Sequence, residues 1–129
     1  GALVGQHPRQ PRTFGGVGGM MKSVFICSPY AGDIEQNTKN AKRYTRLAIQ
    51  KNCIPFTPHL LYPQVLREDD PVERAKGIEL GLYWLAHCDE LWVFGDHRSE
   101  GMVREIEFAT ELGMKIRYFP SFVPLLLED

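Results

Sequence analysis

The stretch "ELWVFGDHRSEGMVREIEFATELG", residues 90–113, decides how this chain is read. Its first five residues are the most strand-like run in the sequence, rich in the β-branched and aromatic types that suit a pleated, buried surface. Gly, Asp, His, Arg and Ser then interrupt the run as a loop would. From Glu100 the pattern turns helical and stops near Gly113, where a glycine can take the left-handed conformation that closes a helix. The unit is therefore strand, loop, helix, and the question is whether the rest of the chain repeats it.

Working outward, the same unit recurs. "SVFICS", residues 23–28, is a short apolar run of the kind found in strands covered on both faces. After the turn "PYAGD", residues 34–52 place Ala41, Tyr44, Ala48 and Ile49 at helical spacing. "CIPFTP", residues 53–58, is a further strand, and Pro55 predicts an edge position because proline cannot donate to a ladder. "HLLYPQVLRE" reads as a short broken helix or loop. Asp70 and Pro71 form an N-cap and first-turn pair that opens a helix to about Cys88, with Ile78, Leu82 and Leu85 on its buried face. "KIRYF", residues 115–119, is the last clear strand, followed by the apolar tail "PSFVPLLLED".

Strands alternating with helices predict an α/β fold, a doubly wound parallel sheet of four to five strands with helices on both faces. Ligands bind such sheets beyond the C-terminal strand ends, where the strand order reverses. Three segments converge there: "SPYAGD", "TPHL" and "GDHRSEG".

Composition bounds the partners. A chain of 129 residues, 43% hydrophobic and 24% charged, suits one domain with its own core, assigned to residues 21–129. Residues 1–20 are rich in Gly, Pro, Gln and Arg without periodicity, and read as a flexible leader or an extension ahead of a start at Met20 or Met21. With a net charge of −1 the chain has no basic surplus for a nucleic-acid polymer. Its three cysteines, Cys27, Cys53 and Cys88, are widely spaced and form no CxxC pair, which argues against a disulfide framework or a zinc site. No apolar run approaches the roughly 18 residues needed to span a bilayer. The expectation is a soluble cytoplasmic protein with no membrane association, no metal and no cofactor.

The segments "VFICSPYAG", "LYWLAHCDELWVF" and "SEGMVREIEFA", in this order and spacing, resemble the nucleoside 2-deoxyribosyltransferase superfamily, including the 2'-deoxynucleoside 5'-phosphate N-hydrolases and small relatives. The resemblance covers about residues 23–119 and implies a flavodoxin-like fold. It implies cleavage or exchange of the N-glycosidic bond of a nucleoside or nucleotide. In that family a Ser or Asp is followed by Gly and, six positions after the first, by a nucleophilic Glu. Here Ser99, Gly101 and Glu105 match. Glu105 would attack the anomeric carbon and form a glycosyl ester, as retaining glycosidases do. A first-turn position would keep it ionised in the positive field of the helix. Ser99, with the amides of Glu100 and Gly101, would hold a 5'-hydroxyl or 5'-phosphate. Ser28 matches a family serine, and Tyr30 and Gly32 lie in the loop that touches the sugar.

One position departs from the pattern. Where the family carries an aspartate that protonates the leaving base, this chain has Gly81. Asp96, Asp33 and His59 are the alternative proton donors, and Asp96 is the candidate catalytic partner of Glu105. Plainer roles compete at each site: Ser99 as an N-cap, His59 as a turn residue bonded to backbone, Glu100 and Glu107 as solvated helix carboxylates. Cys27 and Cys88 read as packing residues. Gly77 and Gly81 mark either close backbone packing or a widened pocket. The tail either closes one side of the sheet or packs on a neighbouring subunit, and a homo-oligomer is expected. Loss of the helix acid leaves a second functional reading, a nucleotide-binding module without turnover.

Overall fold

In the computed structural model the backbone is described for residues 12–13 and 20–126, and side chains for 21–126. The runs read as strands form one sheet: β1 (Ser23–Cys27), β2 (Ile54–Phe56), β3 (Glu90–Phe94) and β4 (Lys115–Phe119). Three helices connect them: α1 (Ile34–Gln50), α2 (Pro71–Leu85) and α3 (Glu100–Glu111). The strand order is β2-β1-β3-β4 and every pairing is parallel. The expected doubly wound parallel sheet is therefore present, with four strands and with β2 at the edge that Pro55 predicts. The leader assigned to residues 1–20 falls largely outside the described residues. Within it, Arg12–Thr13 pairs antiparallel with Met20–Met21 in a short ladder.

Alternation along the central strands sorts the core into two layers. Val24, Ile26, Trp92 and Phe94 point to one face and meet Tyr44, Leu47 and Ala48 of α1. Phe25, Cys27, Leu91 and Val93 point to the other and meet Leu85 of α2 with Met102 and Ala109 of α3. One sequence expectation fails: Ile49 is 59% exposed, while Leu47 is buried in its place. At 100° per residue, Ile49 lies about 140° from Tyr44, beyond the buried stripe, whereas Leu47 lies about 60° from it. The apolar tail closes the α1 face. Val123 is buried against it, Tyr44 Oη donates to the Ser121 carbonyl, and Arg43 Nη2 donates to the Val123 carbonyl at 2.6 Å.

Helix ends fall where the capping residues put them. Asp70 accepts from the Val72 amide at 2.9 Å with Pro71 in the first turn, and Ser99 accepts from the Met102 amide at 3.3 Å. Gly113, just past α3, has φ +69°, the left-handed geometry that glycine permits. The helix expected to reach Cys88 ends at Leu85, and the broken segment before it contains two 3₁₀ turns, Pro58–Leu60 and Tyr62–Gln64.

Since α1 leaves β1 on one face and α3 leaves β3 on the other, the crevice between these neighbouring strands is the switch point where such sheets bind ligands.

Candidate active site

At that switch point lies a cleft of about 220 Å³, lined by Tyr30 and Ala31 after β1, by Pro58, His59, Tyr62, Pro63 and Glu68 between β2 and α2, by Arg74, Gly77 and Ile78 of α2, and by Ser99, Glu100, Gly101 and Glu105 around the start of α3. Five sequence candidates meet there: Glu105, Ser99, Gly101, Tyr30 and His59. Asp96 and Gly32 do not line the cleft and are exposed. Gly32 instead makes the turn after β1, with φ +97°.

Glu105 differs from the expectation in its electrostatics. Helix α3 begins at Glu100, so the first-turn carboxylate is Glu100, and Glu105 stands in the second turn. The N-terminal field falls off within the first turn. Glu105 is 6% exposed, and burial raises its carboxyl from 4.5 to about 8; the neighbouring Cys27 thiol acts in the opposite direction as a donor. Burial thus favours the neutral acid form of Glu105 at pH 7. Burial likewise pushes the Cys27 thiol up, and the Glu105 carboxylate beside it adds to the effect. Cys27 is accordingly an inert packing thiol.

Ser99 is an N-cap that also lines the cleft. Its hydroxyl oxygen caps α3 through the Met102 amide, leaving its proton to be donated elsewhere, and the residue lines the cleft beside the first amides of the helix. His59 is also bonded to backbone: its Nε2 lies 2.7 Å from the Ser28 carbonyl. A carbonyl only accepts, so Nε2 carries the proton and Nδ1 of the neutral ring keeps a lone pair. Burial lowers the His59 pKa, partly countered by that bond. The ring packs against Tyr30 at 5.2 Å between centroids. Ser28 itself is buried beneath, and its hydroxyl has no hydrogen-bond partner.

The two glycines of α2 have different functions. Gly81, where the family acid would stand, is buried, and a Cβ there would meet only Phe25 Cζ at 3.8 Å and Pro58 Cβ at 3.9 Å. Gly77 lines the cleft, and a Cβ there would come within 3.4 Å of Leu66 Cδ1 and 3.8 Å of Tyr62 Cβ. The absent side chain lets the loop before α2 lie down on the helix. That loop carries Tyr62 and Glu68 to the cleft, and with Arg74 these residues escaped the sequence reading. No motif marks them, because an irregular segment brings them in. Among the described residues no group of three His, Cys, Asp or Glu side chains could hold a metal ion.

A family profile described as a domain of unknown function, DUF7768, matches residues 22–119. The chain belongs to that family. The matched segment of this DUF7768 member runs from just ahead of β1 to the end of β4 and so contains every cleft residue. No curated protein matches the chain. Among solved structures, a 2-deoxyribosyltransferase from Bacillus psychrosaccharolyticus superposes with a TM-score of 0.63 over 81% of this chain and 76% of its own, at 14% identity. A CMP N-glycosidase, BcmB, from Clostridium botulinum gives a TM-score of 0.47 at 20% identity, covering 77% of this chain and 69% of its own. The resemblance to nucleoside 2-deoxyribosyltransferases therefore holds for the fold of this DUF7768 chain. No helix among the described residues is long and apolar enough to cross a membrane.

Proposed function

We propose that this protein cleaves or transfers the N-glycosidic bond of a nucleoside or nucleoside 5'-monophosphate, with Glu105 as the nucleophile. The observation that carries the reading is a buried carboxyl on the cleft wall at the sheet's switch point, six residues after a serine that caps the same helix. A fold shared with a 2-deoxyribosyltransferase supports it. Ser99 Oγ and the open amides of the first turn of α3 are suited to a 5'-hydroxyl or phosphate, with Arg74 as the cation of the cleft wall. Tyr30 and His59 offer a stacked aromatic wall to the sugar or base.

In this reaction Glu105 must shed its proton before it attacks C1' of the sugar. Its electron pair forms the ester bond while the C1'–N bond breaks and its pair leaves with the base. Water then attacks C1' and frees the carboxylate, or a second base does so and the sugar is transferred. The positive charge that develops on the sugar favours the ionised form of Glu105 at that moment. The test is base release from a panel of nucleosides, deoxynucleosides and their monophosphates, followed by chromatography. Release that Glu105→Gln abolishes is expected; no release from any member by the pure protein overturns the reading.

A nucleotide-binding module without turnover is the second reading, favoured by glycine at position 81 and by the neutral state of Glu105. Thermal stabilisation by a nucleotide that remains intact would select it. We further infer a homo-oligomer, supported by exposed Val65, Val72, Tyr83 and Trp84 on α2 and the loop before it. Sedimentation that shows a monomer at micromolar concentration would exclude it.

A further inference from the structure

We propose that Glu68 is the catalytic acid and base of this cleft, supplying from the loop before α2 the proton that a helix aspartate at position 81 would otherwise give to the departing base. The inference rests on the glycosyl-cleavage reading above and assigns the proton transfer that this reading leaves open.

The geometry comes from how the loop is held. Glu68 lines the same cleft as Glu105 but from a different wall, built by the loop rather than by α3. A donor to the base and a nucleophile at C1' need that separation, because the base leaves as the carboxylate attacks. Three contacts fix the loop. The Arg67 amide donates to Glu73 Oε1 at 2.6 Å, the Leu66 amide to the Tyr62 carbonyl at 2.8 Å, and Leu66 Cδ1 packs over the bare Cα of Gly77. The residue next to Glu68 is thus tied to the first turn of α2, and a side chain larger than a methyl group at position 77 would press on Leu66. Gly77 opens the place that a loop carboxyl uses, while Gly81 lies buried under Pro58.

Charge in the cleft agrees with this assignment. The charged and titratable groups that line the cleft with Glu68 are Tyr30 after β1, His59 and Tyr62 after β2, Arg74 of α2, and Glu100 and Glu105 of α3. Burial raises the Glu68 carboxyl, and Arg74 partly offsets it. The Tyr30 phenol, which lines the same cleft, is raised by burial and by the charge of Glu68. The productive form has Glu105 ionised and the proton on Glu68. As C1'–N breaks, that proton passes to the base nitrogen, and Glu68, now a carboxylate, takes a proton from the water that attacks the glycosyl ester.

The test compares two leaving groups. One is an ordinary purine or pyrimidine deoxynucleoside, whose base needs a proton to depart. The other is an N7-methylpurine deoxynucleoside, whose base already carries a fixed positive charge and departs neutral. Glu68→Gln should slow release of the ordinary base by about 10² to 10⁴-fold and release of the charged base by less than about tenfold. Glu105→Gln should abolish both. Equal loss on both substrates, or no loss on the ordinary one, overturns the role of Glu68 and leaves the glycosyl-cleavage reading intact. No release from either substrate by the unsubstituted protein overturns both. Glu68→Asp, which keeps an acid on a shorter arm, should recover part of the ordinary-base rate; recovery no better than with Gln counts against proton transfer.

Discussion

In the proposed glycosyl cleavage Glu105 is the reacting side chain, and its protonation should be visible in stability as well as in rate. The unfolded carboxyl titrates near 4.5 and the folded one near 8, so between these values the folded protein holds a proton that the unfolded chain has released. Stability must therefore fall as pH rises through that window. Glu105→Gln removes the dependence. The variant should match the parent near pH 4.5 and exceed it by a few kcal/mol, on the order of 1.4 per pH unit, as pH approaches 8. Urea unfolding at pH 5 and pH 8 measures the difference. The same proton governs activity: with Glu105 as nucleophile and an N7-methylpurine deoxynucleoside, whose base needs no proton from Glu68, kcat/KM should climb with pH on a limb near 8. A rate on that substrate already maximal at pH 6 would contradict the nucleophile assignment. The sequence motif singled out Glu105, but its ionisation was misread. A motif fixes position along a helix, whereas desolvation depends on what β1 and α2 pack around it.

At the level of elements, α2 carries two glycines that sequence alone could not tell apart, of which only Gly77 lines the cleft. A Cβ at position 81 has ordinary contacts at 3.8 and 3.9 Å, so Gly81→Ala should raise stability by about 0.5 to 1 kcal/mol through helix propensity. A Cβ at position 77 meets Leu66 at 3.4 Å, so Gly77→Ala should gain less, and Gly77→Leu should dislodge the loop and with it the alignment of Glu68. Thermal denaturation of the two alanine variants side by side checks the contrast. Equal gains would mean that the loop rests on α2 more loosely than described. The caps of this helix were readable in advance because Asp70 and Pro71 act locally. The loop ahead of it was not, because its 3₁₀ turns follow no apolar period.

Over the whole molecule, the tail after β4 completes the core layer on the α1 face. Gln50 makes hydrogen bonds to both the amide and the carbonyl of Leu126 at 2.9 Å, Arg43 holds the Val123 carbonyl, and Val123 is buried beside Tyr44 and Trp92. Val123→Ala should cost about 2 kcal/mol, and ending the chain after residue 119 should cost more, since α1 then loses its cover toward β4. Chemical denaturation compares the two. The tail answers one of the alternatives open at the sequence level: it closes the sheet. Phe122 and Leu126 remain exposed on its outer side.

The sequence by itself determined the class and winding of the fold. Unbroken apolar runs at residues 23–27 and 90–94, helical spacing between them and capping residues at the breaks are local signals, and local signals survive in one dimension. The family resemblance of its motifs pointed to Ser99 and Glu105, and strand, turn and helix bring both to the cleft. Tertiary structure alone decided which groups share the cleft and in what charge state. Glu68 and Arg74 reach it from an irregular loop and a helix start, Asp96 stays outside, and the Glu105 proton is held by burial. Desolvation and proximity across a cleft depend on packing between distant segments, which no short stretch of sequence encodes.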